Sequence, residues 1–323
     1  MGQSLSEWVV GDRPAIQATG LVKRFGSVTA LDGLDLEVGH QEVHGFLGPN
    51  GAGKSTTIRA VLGQLRLDSG SVRVFGMDAW SQAVTVHRQL AYVPGDVALW
   101  PSLTGGECID LLGALQGQQD RRRRDELVGR FDLDPTKRTR TYSKGNRQKV
   151  ALIAALATDA ELLILDEPTS GLDPLMESQF QACIREATAQ GRTVLLSSHI
   201  LGEVEALCDR VSIVRRGRVV RTGTLAELRE QTLTSISFLT REPVGAALAM
   251  PGVTVVSEKA APEGFRTEAR ATAAALVEAV AAVTRLNPST LTVQPPSLDE
   301  VFLGLYRDLY RDDIVPEHMA ARP

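Results

Sequence analysis

Apolar and polar residues alternate over positions 16–21 and 34–38, the period-two pattern of half-buried strands, with Gly33 and Gly39 as turn punctuation. Val43–Leu47 is a short apolar run ending at a glycine-rich loop, and a helical pattern follows over 55–65. Strand, loop and helix therefore succeed one another. Short strands are expected at 72–75 and 90–93, then a mostly helical stretch over 105–157, interrupted at Asp134-Pro135 and Lys144-Gly145. Residues 162–165 are four apolar residues in a row, as expected of a strand buried on both faces of a parallel sheet. Pro174 opens a helix that runs to Gln190, and 193–197 form the next strand. This alternation predicts an α/β core carrying a helical insertion.

Beyond about Glu230 the chain becomes rich in Ala, Val, Pro and Thr. Strand-like pieces at 235–239, 253–256 and 291–293 surround an Ala-rich helical segment at 272–283, which reads as a small α+β accessory domain. The expected organisation is a tail at 1–14, a main domain at 15–230 with a helical subdomain near 100–157, and an accessory domain at 231–323.

At 323 residues the chain fits one large and one small domain, and its 43% hydrophobic and 23% charged content is that of a folded protein. A net charge of −4 argues against general affinity for nucleic acid. The one basic cluster, 121–124, runs into Asp125 and Glu126 in a helical pattern and reads as a solvated helix face. Cys108, Cys183 and Cys208 are odd in number and widely spaced, so they suit a reducing compartment and read as buried small hydrophobes. The first dozen residues lack a secretory pattern, and no segment approaches the ~18–20 apolar residues that span a bilayer. Any membrane-spanning part of the machine is expected on another chain.

Gly48-Pro49-Asn50-Gly51-Ala52-Gly53-Lys54-Ser55 fits the phosphate-binding pattern G-x-x-x-x-G-K-[ST], with Thr56 next in the helix. Glycines let successive backbone N–H groups face the phosphates at the positive end of the following helix. Lys54 supplies a point charge to the β- and γ-phosphates, and the Ser55 hydroxyl ligates Mg²⁺. The second element is the apolar run 162–165, which delivers Asp166 and Glu167 to a strand tip. Asp166 there can hold Mg²⁺, and Glu167 can activate the attacking water as general base.

With these two elements in place, residues 16 to about 228 resemble the ABC ATPase family. Tyr142-Ser143-Lys144-Gly145-Asn146-Arg147-Gln148 looks like the ABC signature, Ser170-Gly171-Leu172-Asp173-Pro174 is similar to the D-loop, and Ser197-Ser198-His199 to the switch-histidine motif. Phe25 sits where the family places an aromatic against adenine. Five elements in family order are far more specific than any one.

The resemblance implies a P-loop nucleotide-binding domain: a RecA-like core with a helical subdomain and an antiparallel β subdomain. It also implies a head-to-tail pair of subunits with two ATP molecules between them. Each ATP would lie against the 48–56 loop and Asp166 of one subunit and against Ser143, Lys144, Gly145 and Asn146 of the other. His199 would sense the γ-phosphate, and Asp173 would belong to the D-loop. The signature departs from the commonest family version at Lys144 and Asn146. In the Q-loop region Gly95 stands where the family has Gln, which leaves Asp96 as a substitute metal-side contact. Pro296-Ser297-Leu298-Asp299-Glu300-Val301-Phe302 resembles the tail motif of drug- and polyketide-exporter ATPases, with Leu298, Val301, Phe302 and Leu305 at helical spacing.

The expected function is the ATP-hydrolysing motor of a bacterial exporter, using ATP and Mg²⁺, paired with itself or a related ATPase. It would lie on the cytoplasmic face of the membrane beneath a separately encoded permease, moving drug-like or lipophilic compounds. Two other readings compete: a soluble ABC protein serving ribosomes or DNA, and a weakly hydrolysing nucleotide switch. The single cassette and the absence of a long coiled coil weigh against the first, and Glu167 with His199 against the second.

Overall fold

The computed structural model describes residues 14–116, 120–230 and 233–294. Contacts divide the chain into two compact units, with the boundary between Thr222 and Gly223.

The first unit opens with β1 (Ile16–Phe25) and β2 (Val28–Val38), then β3 (Val43–Leu47) and α1 (Lys54–Val61). Strands β4 (Ser69–Val74) and β5 (Met77–Asp78) follow, then α2 (Ala83–His87) and β6 (Leu90–Val93). The helical stretch resolves into α3 (Gly105–Gln116), α4 (Arg121–Arg130) and α5 (Lys144–Leu156). The Asp134-Pro135 interruption falls between α4 and α5. Lys144-Gly145, expected to break a helix, instead begins one, because the Ser143 hydroxyl caps it by accepting from the Asn146 N–H at 3.2 Å. After α5 come β7 (Leu162–Asp166), α6 (Pro174–Ala189), β8 (Thr193–Ser198), α7 (Leu201–Leu207), β9 (Arg210–Arg215) and β10 (Arg218–Thr224).

Two sheets organise this unit. An antiparallel sheet runs in the order β2-β1-β4-β5, and a six-stranded sheet in the order β10-β9-β3-β8-β7-β6. Every residue of β3, β7 and β8 is buried, as strands with both faces covered must be. Ile16, Leu31, Leu34, Phe46, Ile58 and Val61 share one core that joins the antiparallel sheet, α1 and the central sheet. Each such side chain contributes about 1.5–3 kcal/mol of apolar burial. The fold class is thus α/β, with the antiparallel β and helical subdomains in place.

Half of the basic cluster departs from its expected role. Arg121 and Arg122 are exposed, but Arg124 pairs with Asp110 of α3 at 3.0 Å and Arg123 reaches Glu186 of α6 at 2.7 Å. Arg130 joins it on the same Glu186 oxygen, also at 2.7 Å. The run therefore pins α4 to its neighbours, since a carboxylate shared by two guanidinium groups fixes geometry as well as charge. All three cysteines are buried, and burial pushes the Cys183 thiol up to about 11.

In the second unit, α8 (Leu225–Glu230) is followed by β11 (Thr234–Thr240), β12 (Val253–Ala261), β13 (Gly264–Ala271), α9 (Leu276–Arg285) and β14 (Thr290–Gln294). The sheet order is β12-β13-β11-β14, with antiparallel neighbours throughout. Ile236, Phe238, Ala269, Ala271, Ala279 and Val283 build its core. Strand β13 had no counterpart in the sequence reading, and the helix starts later than expected. The tail motif at 296–302, with Leu305, lies outside the described residues.

The Arg123–Glu186–Arg130 bridge gives a measurable pH signature. Hydrogen bonding from Arg130, reinforced by Arg123, holds the Glu186 carboxyl down at about 2. A depressed carboxyl contributes stability above its unfolded pKa and loses it as pH falls through the folded one. Glu186→Gln is therefore expected to cost less than ~1 kcal/mol at pH 7, because the half-exposed carboxylate is screened by solvent. Urea unfolding should show the difference shrinking as pH falls from ~4.3 towards 2.

Candidate active site

The parallel register of three buried strands decides where the chemistry gathers. β3 pairs with β8 so that Leu47 faces Ser198, and β8 pairs with β7 so that Ser197 faces Asp166. The strand ends are therefore level. Gly48, Glu167 and His199 each lie just past one of these tips, at the carboxyl edge where open α/β sheets bind ligands.

The loop after β3 arches through exposed Pro49, Asn50 and Gly51 and returns to buried Ala52 and Gly53. Gly53 takes φ 113°, which side-chain-bearing residues rarely adopt, and from it α1 starts at Lys54. The Thr57 N–H donates to the Gly53 carbonyl at 2.9 Å, closing the first turn, and Thr56 is half-buried in it. The β1–β2 hairpin braces this loop. Asp32 N–H donates to the Gly217 carbonyl, and Gly217 N–H to the Ala52 carbonyl, at 2.9 and 2.8 Å. Phe25 at the end of β1 is 49% exposed, with the Lys23 ammonium 5.4 Å from its ring centre. An exposed ring at this hairpin can stack on a flat aromatic ligand.

The Lys54 ammonium is 5% exposed and donates to the Gly48 carbonyl at 2.6 Å and the Pro49 carbonyl at 3.3 Å. Burial pulls its pKa down, while Glu167 and Asp166 oppose that shift. Glu167 Oε1 is 3.9 Å from the ammonium. The Ser55 hydroxyl donates to Asp166 Oδ2 at 3.1 Å, so a hydroxyl and a buried carboxylate meet at one point. Beside them Tyr92 is half-buried, and burial followed by the Asp166 charge raises its phenol to about 12.

Glu167 has φ 48°, a left-handed conformation that costs of order 1–3 kcal/mol for a side-chain-bearing residue. Its N–H is held by the Ser197 carbonyl at 2.9 Å, and its carboxylate lies 3.1 Å from His199 Nδ1. The kinked backbone turns the side chain out of the strand line towards the histidine. Glu167 and His199 are 29% and 51% exposed, so water can reach both.

The signature residues meet the D-loop rather than this cluster. The Lys144 ammonium donates to Ser170 Oγ at 2.6 Å, and Gly145 packs so closely on Gly171 that a methyl group there would collide with the Gly171 carbonyl oxygen. Asp173 accepts from the Met176 N–H at 3.0 Å and caps α6, with Pro174 at its first turn. Ser143 is exposed and Asn146 half-buried. Gly95 approaches the tip of β7: a side chain there would begin 3.1 Å from the Asp166 carbonyl oxygen and 3.6 Å from Glu167 Cβ. Asp96 beside it is exposed. The Glu167–His199 contact and the Lys144–Ser170 tie had no sequence signal, since both join residues far apart in the chain.

Comparison with known proteins agrees with this geometry. The family model described as "ABC transporter" matches residues 31–170. The daunorubicin resistance ATP-binding protein DrrA3 of Streptomyces coeruleorubidus is 40% identical over 91% of this chain and 96% of its own. The linearmycin resistance ATP-binding protein LnrL of Bacillus subtilis is 30% identical over 92% and 100%. A solved ATP-binding subunit of an ABC transporter superposes with TM-score 0.64 at 32% identity, covering 67% of this chain and 92% of that one. A dimeric ATP-binding cassette bound to ADP and Pi shares the fold, with TM-score 0.60 at 21% identity over 65% and 98%.

Gly145→Ala provides a test of the tight signature–D-loop contact. The added methyl must push the Gly171 carbonyl away, an overpacking that costs about 1–3 kcal/mol. A corresponding fall in thermal midpoint is expected, whereas Gly202→Ala, in α7 with open space around it, should hold or raise the midpoint because alanine favours a helix over glycine.

Proposed function

The chain belongs to the ATP-binding proteins of ABC transporters, the ATPase motors of exporters, and from that premise we propose how its residues work and what they move. Binding and hydrolysis of ATP are the activities of this family. The proposed cargo is a drug-like or lipophilic compound, a reading supported by the daunorubicin and linearmycin resistance relatives. The cargo passes through a separately encoded membrane permease, and the subunit acts peripherally at the cytoplasmic face. Among the described residues no helix is long and apolar enough to cross a membrane. Residues 15–230 form the ATPase domain in this proposal, and 231–323 an accessory, dimer-supporting domain.

The observation that carries the mechanism is the Glu167 carboxylate lying 3.1 Å from His199 and 3.9 Å from the Lys54 ammonium. A base, a group that orients it and a cation for the phosphates thus share one small volume. Lys54 and the amides of 48–56 hold the triphosphate, and Phe25 stacks on the adenine. Glu167 takes the proton of the attacking water, and His199 fixes the glutamate while contacting the γ-phosphate. The Ser55 hydroxyl and Asp166 carboxylate form a hard-oxygen donor pair that would hold Mg²⁺. When bound, the cation neutralises charge on the β- and γ-phosphate oxygens. Gly95 leaves that side of the site without a glutamine, and Asp96 is its nearest acidic neighbour in sequence.

A second copy, or a related ATPase, completes each site with Ser143, Lys144, Gly145 and Asn146 of its signature, while Asp173 lies in the intervening D-loop. The Ser143 hydroxyl and the first N–H groups of α5 suit an anion. Losing the γ-phosphate removes charge-assisted bonds between the subunits, so the pair reopens and drives the permease.

Glu167→Gln tests this reading. ATP turnover should fall at least ~100-fold. Fluorescent-nucleotide binding should persist, and light scattering should detect an ATP-dependent dimer. Equal turnover in both forms, or monomers throughout even with a cognate permease, would refute it.

A further inference from the structure

Among the described residues, Glu203 is a buried ionisable group that the mechanism above leaves unused. It lies on α7, four residues after His199, and is 5% exposed. A carboxyl withdrawn from water to this degree is costly unless its surroundings use it. Glu203 Oε2 accepts from the Ser198 hydroxyl at 2.6 Å. The same hydroxyl accepts from the Ile200 N–H at 2.9 Å. Those bonds bracket His199: Ser198 before it is fastened to the buried carboxyl, and Ile200 after it is tied back to the Ser198 hydroxyl. The group therefore holds the turn that carries His199, whose ring meets Glu167.

The surroundings work against the charge. Burial raises the Glu203 pKa, and Glu177 of α6 adds to the shift, while the Ser198 and Thr169 hydroxyls and His199 oppose it. Oε1 has no hydrogen-bond partner. A carboxylate with a bare buried oxygen is penalised more heavily than a carboxylic acid.

We propose that Glu203 is a positioning residue for hydrolysis, fastening the Ser198–Ile200 turn to α7 so that His199 stays aimed at Glu167. This inference rests on the ATPase reading above but assigns a role to a residue outside the nucleotide, metal and signature sets. It also separates this acid from the other carboxylates nearby. Glu167 works at the reacting atoms, whereas Glu203 acts through the turn and has no reason to touch nucleotide.

Steady-state kinetics on the full chain, together with ¹³C–¹H NMR of the histidine rings, test the assignment. Glu203→Ala is expected to lower kcat ~10-fold through misaimed His199 while KM stays within about twofold. Glu203→Gln, which keeps the shape and an acceptor oxygen for the Ser198 hydroxyl, should retain at least about half of the wild-type kcat. In a His199→Ala background, Glu203→Ala should cost no more than about a further twofold, since the two act as one unit. Ser198→Ala removes the same link at little change in volume, and should reproduce the kcat loss if Glu203→Ala fails to fold. The His199 ring resonance, assigned by its loss in His199→Ala, should move in Glu203→Ala and stay in Glu203→Gln. An unmoved resonance, equal damage from Ala and Gln, or full additivity with His199→Ala would overturn the proposal. Equal turnover of wild type and Glu167→Gln would instead refute the ATPase reading, and the NMR result would still decide the role of Glu203.

Discussion

The parallel register of β3, β8 and β7 is the constraint on which the site depends. Three strands with no exposed residue are built mainly from apolar side chains, and the charged groups of the site stand at and just past their tips. Because Leu47 is level with Ser198 and Ser197 with Asp166, the tips end together. A slip of one residue in either pairing would separate the lysine, the acids and the histidine. Burial of aliphatic side chains thus sets a catalytic geometry to which those side chains contribute no chemistry.

Local conformation then refines what the register delivers. Glu167 leaves the strand line through a left-handed backbone held by the Ser197 carbonyl. The Ser198–Ile200 turn is held from beneath by side chains of the same chain. The strained residue and the braced turn face one another. Strain of this kind persists only where neighbours over-determine it, and here β8 holds the strained residue while α7 holds the turn.

Much of this was legible in the sequence, and the reasons are physical. The phosphate loop reads clearly because its glycines and its Lys54-Ser55 pair are contiguous, so spacing alone carries the signal. β7 reads clearly because a strand covered on both faces is a plain apolar run. The failures have a common cause. β13 carries Arg266, Glu268 and Arg270 on one face, with only Thr267, Ala269 and Ala271 buried on the other, so its apolar alternation is faint. Lys144-Gly145 looks like a helix break by composition, yet the Ser143 cap makes it a helix start. The 121–124 run looks solvated until α6 supplies Glu186, 56 positions beyond Arg130. What a residue meets across such a separation is fixed by packing and leaves no trace in local pattern.

The Lys54 ammonium, meanwhile, does not wait empty-handed. Its hydrogens rest on the Gly48 and Pro49 carbonyls, which belong to the loop that the lysine serves. An arriving anion therefore trades with existing acceptors instead of filling a void, and measured affinity reports the difference between two sets of bonds.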